Sequence, residues 1–388
     1  MRFLQPVISR FEARMILALV ILLFFIAYSL LIIYFRKAWK EAPHYSQQEL
    51  PATTKVSVII AARNEEKNIG RLLTSLKEQD FPSSLLEIIV VDDHSTDRTV
   101  EIVKQFPGVT LISLRDDDIN SYKKKAIETG VAAATGELII TTDADCTAES
   151  NWIKMIVSLY QQSGAVFIAA PVAFAPYQQG SRLLYSFQVL DFLVLQGITG
   201  ASIYRQKLSM CNGANLAYSK QAFLSVDGFK GIDHIASGDD MLLMHKINKA
   251  FPGKIQYLKS PQAIVYTNAE TTWSSFFNQR IRWASKADKY EDKNIFYILL
   301  LVYLFNLSFL LLLIAGFWNY YYWFLLIGLW ITKTLVEFSF VSSVAAFFKS
   351  QSLMKYFFFL QPIHISYTII AGWLGKFGKY EWKGRKVN

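Results

Sequence analysis

Residues 55–61 read KVSVIIA, and residues 62–66 continue as ARNEE. VSVII is a short, unbroken apolar run rich in β-branched residues, which predicts a strand buried on both faces of a sheet. The rhythm continues downstream. The pattern predicts a helix over Glu66 to Gln79, a strand over Leu86 to Val91 and a helix over Arg98 to Gln105. A strand over Val109 to Ser113, a helix over Lys123 to Ala134 and a strand over Glu137 to Thr142 follow. Strands that alternate with helices imply an α/β domain with a mostly parallel sheet and helices on both faces. In such sheets ligands sit beyond the carboxyl ends of the strands, so chemistry is to be sought there.

Acidic and polar residues gather at those ends. Ala61-Ala62-Arg63-Asn64-Glu65-Glu66 follows the first strand, Asp92-Asp93-His94-Ser95-Thr96-Asp97 the second, and Asp143-Ala144-Asp145 the fourth. Crowded carboxylates repel one another unless a cation or hydrogen-bond donors offset them. A hard divalent cation is the expected guest, magnesium or manganese held by one or two carboxylates and a diphosphate. Plainer readings compete at each position. Asp92 and Asp93 could cap the next helix, and paired acids after a strand are common in loops. VVDDHS also resembles the acidic pocket of a signalling receiver, although here it follows the second strand of a longer domain. Asp239 and Asp240, after Ser237 and Gly238, could cap a helix over Met241 to Lys249 or supply a general base. Lys123, Lys124 and Lys125 read as a solvated helix start.

The stretch from Ala52 to about Lys293 is of soluble type and long enough for one core of its own. Its flanks are lipid-like. Met15 to Tyr34 is an uncharged apolar run of about twenty residues, the length one helix needs to cross a bilayer. A cleaved signal peptide fits it less well, because the run is long and no small-residue cleavage site follows. Ile295 to Trp318, Tyr322 to Phe348 and Met354 to Leu374 are apolar again. The middle one carries Lys333 and Glu337, tolerable in lipid if they neutralise each other or face a protein interior. Gln361, Pro362, His364 and Ser366 interrupt the last, so two to three crossings are expected in this region.

Composition agrees: of 388 residues, 52% are apolar and 15% aromatic, which exceeds an ordinary soluble domain. Lysine and arginine outnumber the acids by 40 to 31, a formal charge of +9. No basic run is interleaved with aromatics, so no nucleic-acid partner is expected; the excess suits anionic membrane lipids and phosphate ligands. The two cysteines, Cys146 and Cys211, have neither metal-ligand spacing nor a disulfide framework, which points to a reducing compartment.

Taken in order, VSVIIAARNEE, VVDDHSTD, TTDADC, SGDD and QRIRW resemble the family-2 glycosyltransferases, inverting enzymes with a GT-A catalytic domain. The resemblance covers the whole soluble stretch and implies three regions: 1–50 with a membrane span and linker, 51–293 as the GT-A domain, and 294–388 as a membrane region with a basic tail. It implies that Asp93 pairs with the nucleotide base, and that Ala62, Arg63 and Glu65 touch the nucleoside. Asp143 and Asp145 then occupy the metal-binding D-x-D, Asp145 foremost as direct ligand and Asp143 also on the donor side. Asp240 falls to the catalytic base and Asp239 to its support, and a looser match over Lys123 to Gly130 implies a lysine near the diphosphate without choosing among Lys123, Lys124 and Lys125. The Q-x-x-R-W motif places Gln279, Arg282 and Trp283 towards the acceptor and the diphosphate, one turn apart on a helix. The same helix, Thr271 to Lys286, has the aromatic content of a membrane-surface element. Cys211-Asn212-Gly213-Ala214-Asn215 corresponds to the acceptor-side loop, with Gly213 allowing close backbone approach. Gly180 to Lys207 reads either as a second helix against the membrane or as domain core.

The partners implied are a nucleotide-diphosphate sugar, a lipid or glycan acceptor and membrane lipids. An integral membrane protein of the bacterial inner membrane with a cytosolic catalytic domain is expected. Basic residues flanking the first span are evenly matched and do not orient it, whereas the tail, Lys376 to Lys386, should remain in the cytosol. Four spans are few for an export channel and no regulatory domain is appended, so a lipid or lipid-linked acceptor is expected over a processive polysaccharide synthase. A non-catalytic subunit would have lost a metal or base residue, and none is lost. The large soluble-type domain with its acidic strand ends argues against a transporter.

Overall fold

The computed structural model describes residues 5–46, 51, 53–115, 121–235, 238–285, 292–377, 380–382 and 385–387. Ser237 of the acidic motif and Lys379 and Lys383 of the tail lie outside them. The chain divides into two compact units, one of Ala38–Thr272 with Glu381–Asn388 and one of Met1–Lys37 with Trp273–Tyr380.

After α1 (Gln5–Glu41), the first unit begins with β1 (Val56–Ala62), α2 (Ile69–Lys77), β2 (Leu86–Asp92), α3 (Thr99–Lys104), β3 (Val109–Ser113), α4 (Tyr122–Ala133) and β4 (Leu138–Asp143). The strands fall within a residue of their expected ends. Helix α2 starts three residues later than its apolar pattern suggests. The Glu65 and Glu66 amides are already taken, donating to Thr99 Oγ1 at 2.7 Å and Asp97 Oδ2 at 3.0 Å. There follow β5 (Thr147–Ala148), α5 (Trp152–Ser163), β6 (Phe167–Ala169), β7 (Val172–Phe174), α6 (Arg182–Tyr204), β8 (Leu216–Ser219), α7 (Lys220–Ser225), α8 (Asp239–Ala250), β9 (Ile255–Tyr257) and β10 (Val265–Thr267).

Seven strands form one sheet in the order β3-β2-β1-β4-β8-β6-β9. All pairings are parallel except those of β8 with β4 and β6. Val56, Val58, Ile59 and Ile60 of the central strand are fully buried, as a strand covered on both faces requires. A smaller sheet, β5-β10-β7, begins with the strand that directly follows β4 and carries Thr267 on β10. The apolar stretch after Gly180 is domain core rather than a surface helix: on α6, Gln196 Oε1 accepts from the Val172 amide at 3.0 Å. A Cβ added at Gly200 would meet Trp39 and Tyr257 at 2.7 and 2.8 Å, so only glycine lets the helix approach so closely. The end of α1 is capped from this unit. Lys259 Nζ donates to the Trp39 and Ala42 carbonyls at 2.5 and 2.9 Å, satisfying acceptors a helix end leaves free.

The second unit contains most of α1 together with α9 (Trp273–Ala284), α10 (Lys293–Gly316), α11 (Tyr321–Phe347) and α12 (Phe357–Phe377). Among the described residues α1, α10, α11 and the segment ending in α12 are long and apolar enough to cross a membrane; α6 also meets that measure but packs as described. Leu23, Leu30, Phe324, Leu335 and Phe359 stand exposed, a surface suited to lipid contact rather than water. One polar residue of α12, Gln361, turns inward, while Ser366 is exposed. Lys333 Nζ lies 2.7 Å from Glu337 Oε1 and donates to Gln361 Oε1 at 2.6 Å; Gln361 Nε2 donates to Glu337 Oε2 at 2.7 Å. Tyr28 OH of α1 donates to the same carboxylate. Ion pair and interior placement thus act together, and Gln361, an apparent blemish in an apolar run, ties α12 to α11.

Removing one member of a buried pair costs about 3–5 kcal/mol, because it leaves a charge uncompensated, whereas replacing both can be nearly neutral. Glu337→Leu should therefore lower the unfolding midpoint in detergent sharply, and Lys333→Met/Glu337→Leu should recover most of the loss. Thermal unfolding of the three proteins checks this.

Candidate active site

The carboxyl edge of the sheet is set by strand register. Ala62 of β1 stands opposite Asp92 of β2, and Ala61 opposite Asp143 of β4, so three loops leave from one level. The first two loops are stitched together. Asp93 N donates to Ala62 O at 2.8 Å, and Arg63 Nη1 donates to Asp93 O at 2.8 Å while standing 3.6 Å from its Oδ1. His94 Nδ1 is 3.0 Å from that same oxygen. Asn64 and His94 both adopt left-handed backbone, with φ of 52° and 54°, which turns the two loops towards each other. Asn64 Oδ1 accepts from Thr96 N at 2.8 Å, and Glu65 Oε2 accepts from Asn68 Nδ2 at 2.8 Å.

Neither Asp92 nor Asp93 caps α3. That task falls to Asp97, whose Oδ1 accepts from Thr99 N and Oγ1 at 3.0 and 2.5 Å. Partial burial acts to raise the Asp97 carboxyl, but the bonds from Thr99 and the Glu66 amide outweigh it and hold it below the usual carboxylate range.

The second half of the site is built around one lysine. Lys123, in the first turn of α4, places Nζ 2.7 Å from Asp143 Oδ1 and 3.2 Å from Asp239 Oδ2. Burial acts to lower its pKa, yet the carboxylates of Asp143 and Asp239 prevail and keep it firmly protonated, well above an ordinary lysine. Its neighbour Lys124 is buried elsewhere, donating to the Ile232 carbonyl at 2.7 Å and to that of Ile235. Asp239 and Asp240 open α8 behind Gly238, whose φ of 79° suits glycine. Asp240 Oδ2 accepts from Gly213 N at 3.1 Å and its Oδ1 from Met241 N at 2.8 Å. Asp145 Oδ2 accepts from Thr267 Oγ1 at 2.9 Å. Beneath them Tyr218 is buried, and its hydroxyl has no hydrogen-bond partner among the described residues. Burial first, and then the charge of Asp239, push that phenol well up.

Asp143 and Asp145 suit a hard divalent ion. Among the described residues no group of three or more His, Cys, Asp or Glu forms a closed cage. Two carboxylates with positions left for phosphate and water are the donor set magnesium or manganese takes beside a nucleotide. Cys146 stays out of such a set: burial, then the charges of Asp145 and Asp143, push its thiol well up, so it remains protonated.

Gln279, Arg282 and Trp283 lie on α9, in the unit of the apolar helices. All three are half-buried, whereas Arg280 between them is buried. Gln279 Oε1 accepts from Arg280 Nη1 at 2.8 Å, and the Arg280 guanidinium lies 4.2 Å from the Trp283 ring centre and 4.8 Å from that of Phe276. One face of the tryptophan is therefore already covered. Phe276 in turn meets Tyr367 of α12 edge-on at 5.6 Å.

The description "Glycosyl transferase family 2" matches residues 57–226. Residues 57–226 are a family 2 glycosyltransferase domain. The chain is similar to the probable glycosyltransferase YdaM of Bacillus subtilis, 27% identical over 63% of this chain and 56% of that protein. A β-monoglucosyldiacylglycerol synthase of Nostoc is 27% identical over 44% of this chain and 40% of its own length. The matches thus span about half the length of these relatives. Among solved structures, a mannosyltransferase of Pyrobaculum calidifontis, in complex with GDP-Man and Mn2+, is similar over 92% of this chain and 97% of its own. With a TM-score of 0.57 at 18% identity, it identifies the fold as GT-A.

Sequence reasoning could not choose among the lysines of the family 2 domain, and it missed Thr267 and Tyr218 altogether. Thr267 lies well beyond the matched segment, and Tyr218 sits inside an ordinary strand pattern. The Asp97 knot yields a check. Its folded pKa is depressed, so its stabilisation is present above the unfolded carboxyl value and is lost as pH falls below about 4. Asp97→Ala should cost about 1–3 kcal/mol near pH 7, as a carboxylate hydrogen-bonded to amide and hydroxyl does. The gap between wild type and variant should close in denaturant titrations below about pH 4.

Proposed function

We propose that the chain is an inverting glycosyltransferase that moves a sugar from a nucleoside-diphosphate donor to a lipid or lipid-linked acceptor at the cytosolic face of a bacterial inner membrane. The observation that carries this reading is the gathering of Asp143, Asp239 and Asp240 about Lys123 and Gly213 at the carboxyl edge of a family 2 domain. The apolar helices before and after that domain support a membrane-borne acceptor. So does the name of the Nostoc relative.

In this reading Asp93, held by Arg63, recognises the nucleotide base, and Ala62 and Glu65 shape the nucleoside pocket. Asp145 and Asp143 hold Mg2+ or Mn2+, which when bound offsets charge on the diphosphate. The Mn2+ in the similar mannosyltransferase supports a divalent ion. Asp240 accepts the proton of the acceptor hydroxyl as its oxygen bonds to the anomeric carbon. The bond from that carbon to the diphosphate breaks, its electron pair leaves with the nucleotide, and a single displacement inverts the anomeric centre. Asp239 supports the base. Arg282 offers a planar fork to phosphate, while Gln279 and Trp283 serve the acceptor.

Incubating membranes that contain the protein with labelled nucleotide sugars, then partitioning the product, tests the reading. Label in the organic phase is expected; label only in a high-molecular-weight aqueous fraction would replace the lipid acceptor with a growing polymer. Asp240→Asn should retain donor binding while kcat falls by about 10²-fold or more. Trp283→Phe should raise the acceptor KM and leave donor affinity unchanged, because Phe keeps a ring for Arg280 but loses the indole face and N–H.

A further inference from the structure

Lys123 is more than a phosphate ligand in waiting. Its ammonium touches a carboxylate from each half of the chemistry, Asp143 of the D-x-D at 2.7 Å and Asp239 beside the base at 3.2 Å. The room it occupies is made by the acceptor-side loop. A Cβ at Gly213 would stand 3.2 Å from Lys123 Nζ and 3.3 Å from Asp239 Oδ2, tight enough that one of them would have to give by a few tenths of an ångström. Gly213 is not needed there for a left-handed backbone, since its φ is not among the positive ones. Its value is the missing side chain. Asp240 is meanwhile occupied by the Gly213 amide at 3.1 Å, so strand β4, helices α4 and α8 and the 211–215 loop meet at this ammonium.

We infer that Lys123 is an internal counter-ion that holds the metal-side and base-side carboxylates together while the site is empty, and that a divalent ion binds well only with a nucleoside diphosphate, which draws the ammonium off Asp143. The inference rests on the metal reading of Asp143 and Asp145. An ammonium and a divalent ion cannot share one carboxylate oxygen without repulsion, so metal alone must displace Lys123 or bind beside it. A diphosphate resolves the conflict. It brings negative charge that accepts the ammonium, frees Asp143 for the metal, and releases Asp239 at the moment the donor arrives. Ordered loading of the donor complex follows from this one residue.

The test is binding, not turnover. Mn2+ alone, and Mn2+ with added UDP or GDP, are titrated by calorimetry or by the paramagnetic signal of free Mn2+ on the full chain in detergent. With Lys123→Met the affinity for Mn2+ alone should rise about tenfold or more, and the enhancement that nucleotide gives to Mn2+ binding should shrink by a similar factor. Lys123→Arg retains the charge and should keep Mn2+-alone affinity at or below the wild-type value, which guards against an effect of misfolding in the Met variant. Unchanged or weaker Mn2+-alone binding in a folded Lys123→Met protein would overturn the counter-ion role. Asp145→Asn separates the two readings: if it leaves Mn2+ binding intact, the metal assignment itself fails; if it abolishes binding while Lys123→Met changes nothing, only the present inference does.

Discussion

The in-register parallel pairing of β1 with its two neighbours is the constraint from which the site follows. A parallel ladder joins Val56–Ala61 of β1 to partners on both sides, and a slip of one residue would turn each side chain to the opposite face. The run over Val56–Ala62 is buried except at the partly buried Ala61, and the observed register sets its end level with those of its neighbours. The strands therefore end level, and Asp92 and Asp143 emerge beside Ala62 and Ala61. The acids are brought together by backbone geometry, without any attraction between themselves.

Bringing them together is costly, and much of the local structure offsets that cost. Arg63 and His94 lie against Asp93, Lys123 against Asp143 and Asp239, the Gly213 amide against Asp240 and Thr267 against Asp145. Each compensating group comes from a different element, so the site is as cooperative as the fold itself. Small shifts of α4 or of the 211–215 loop would leave a carboxylate exposed to its neighbours.

In the apolar unit the same accounting takes place without water. An ammonium, a carboxylate, an amide and a phenol close on one another across α1, α11 and α12, each satisfying what lipid could not. Close helix approach is helped by small residues. A Cβ at Gly375 would lie 2.7 Å from that of Ala284, which is how α12 receives α9. Helix α9 is thereby held through its aromatic and arginine face, leaving Gln279 and Arg282 as the half-buried polar groups of the motif.

The sequence by itself determined the alternation of strands and helices, the lipid-like flanks and the position of acids at strand ends, because these are local periodicities that any compact fold must respect. Three things were decided only by tertiary structure. Lys123, Lys124 and Lys125 are equivalent in sequence, but consecutive helical residues point about 100° apart, and only the neighbours of α4 determine that the first meets Asp143 while the second is buried against backbone carbonyls. The apolar stretch of α6 had the composition of either a membrane-surface helix or a core helix, and the close approach of Trp39 and Tyr257 to Gly200 made it core. On α9 it is Arg280, the residue between the named positions of the motif, that stacks on Trp283, because a separation of three brings it over the ring. Periodicity says which face a residue shares; what stands opposite that face depends on elements far away in the chain.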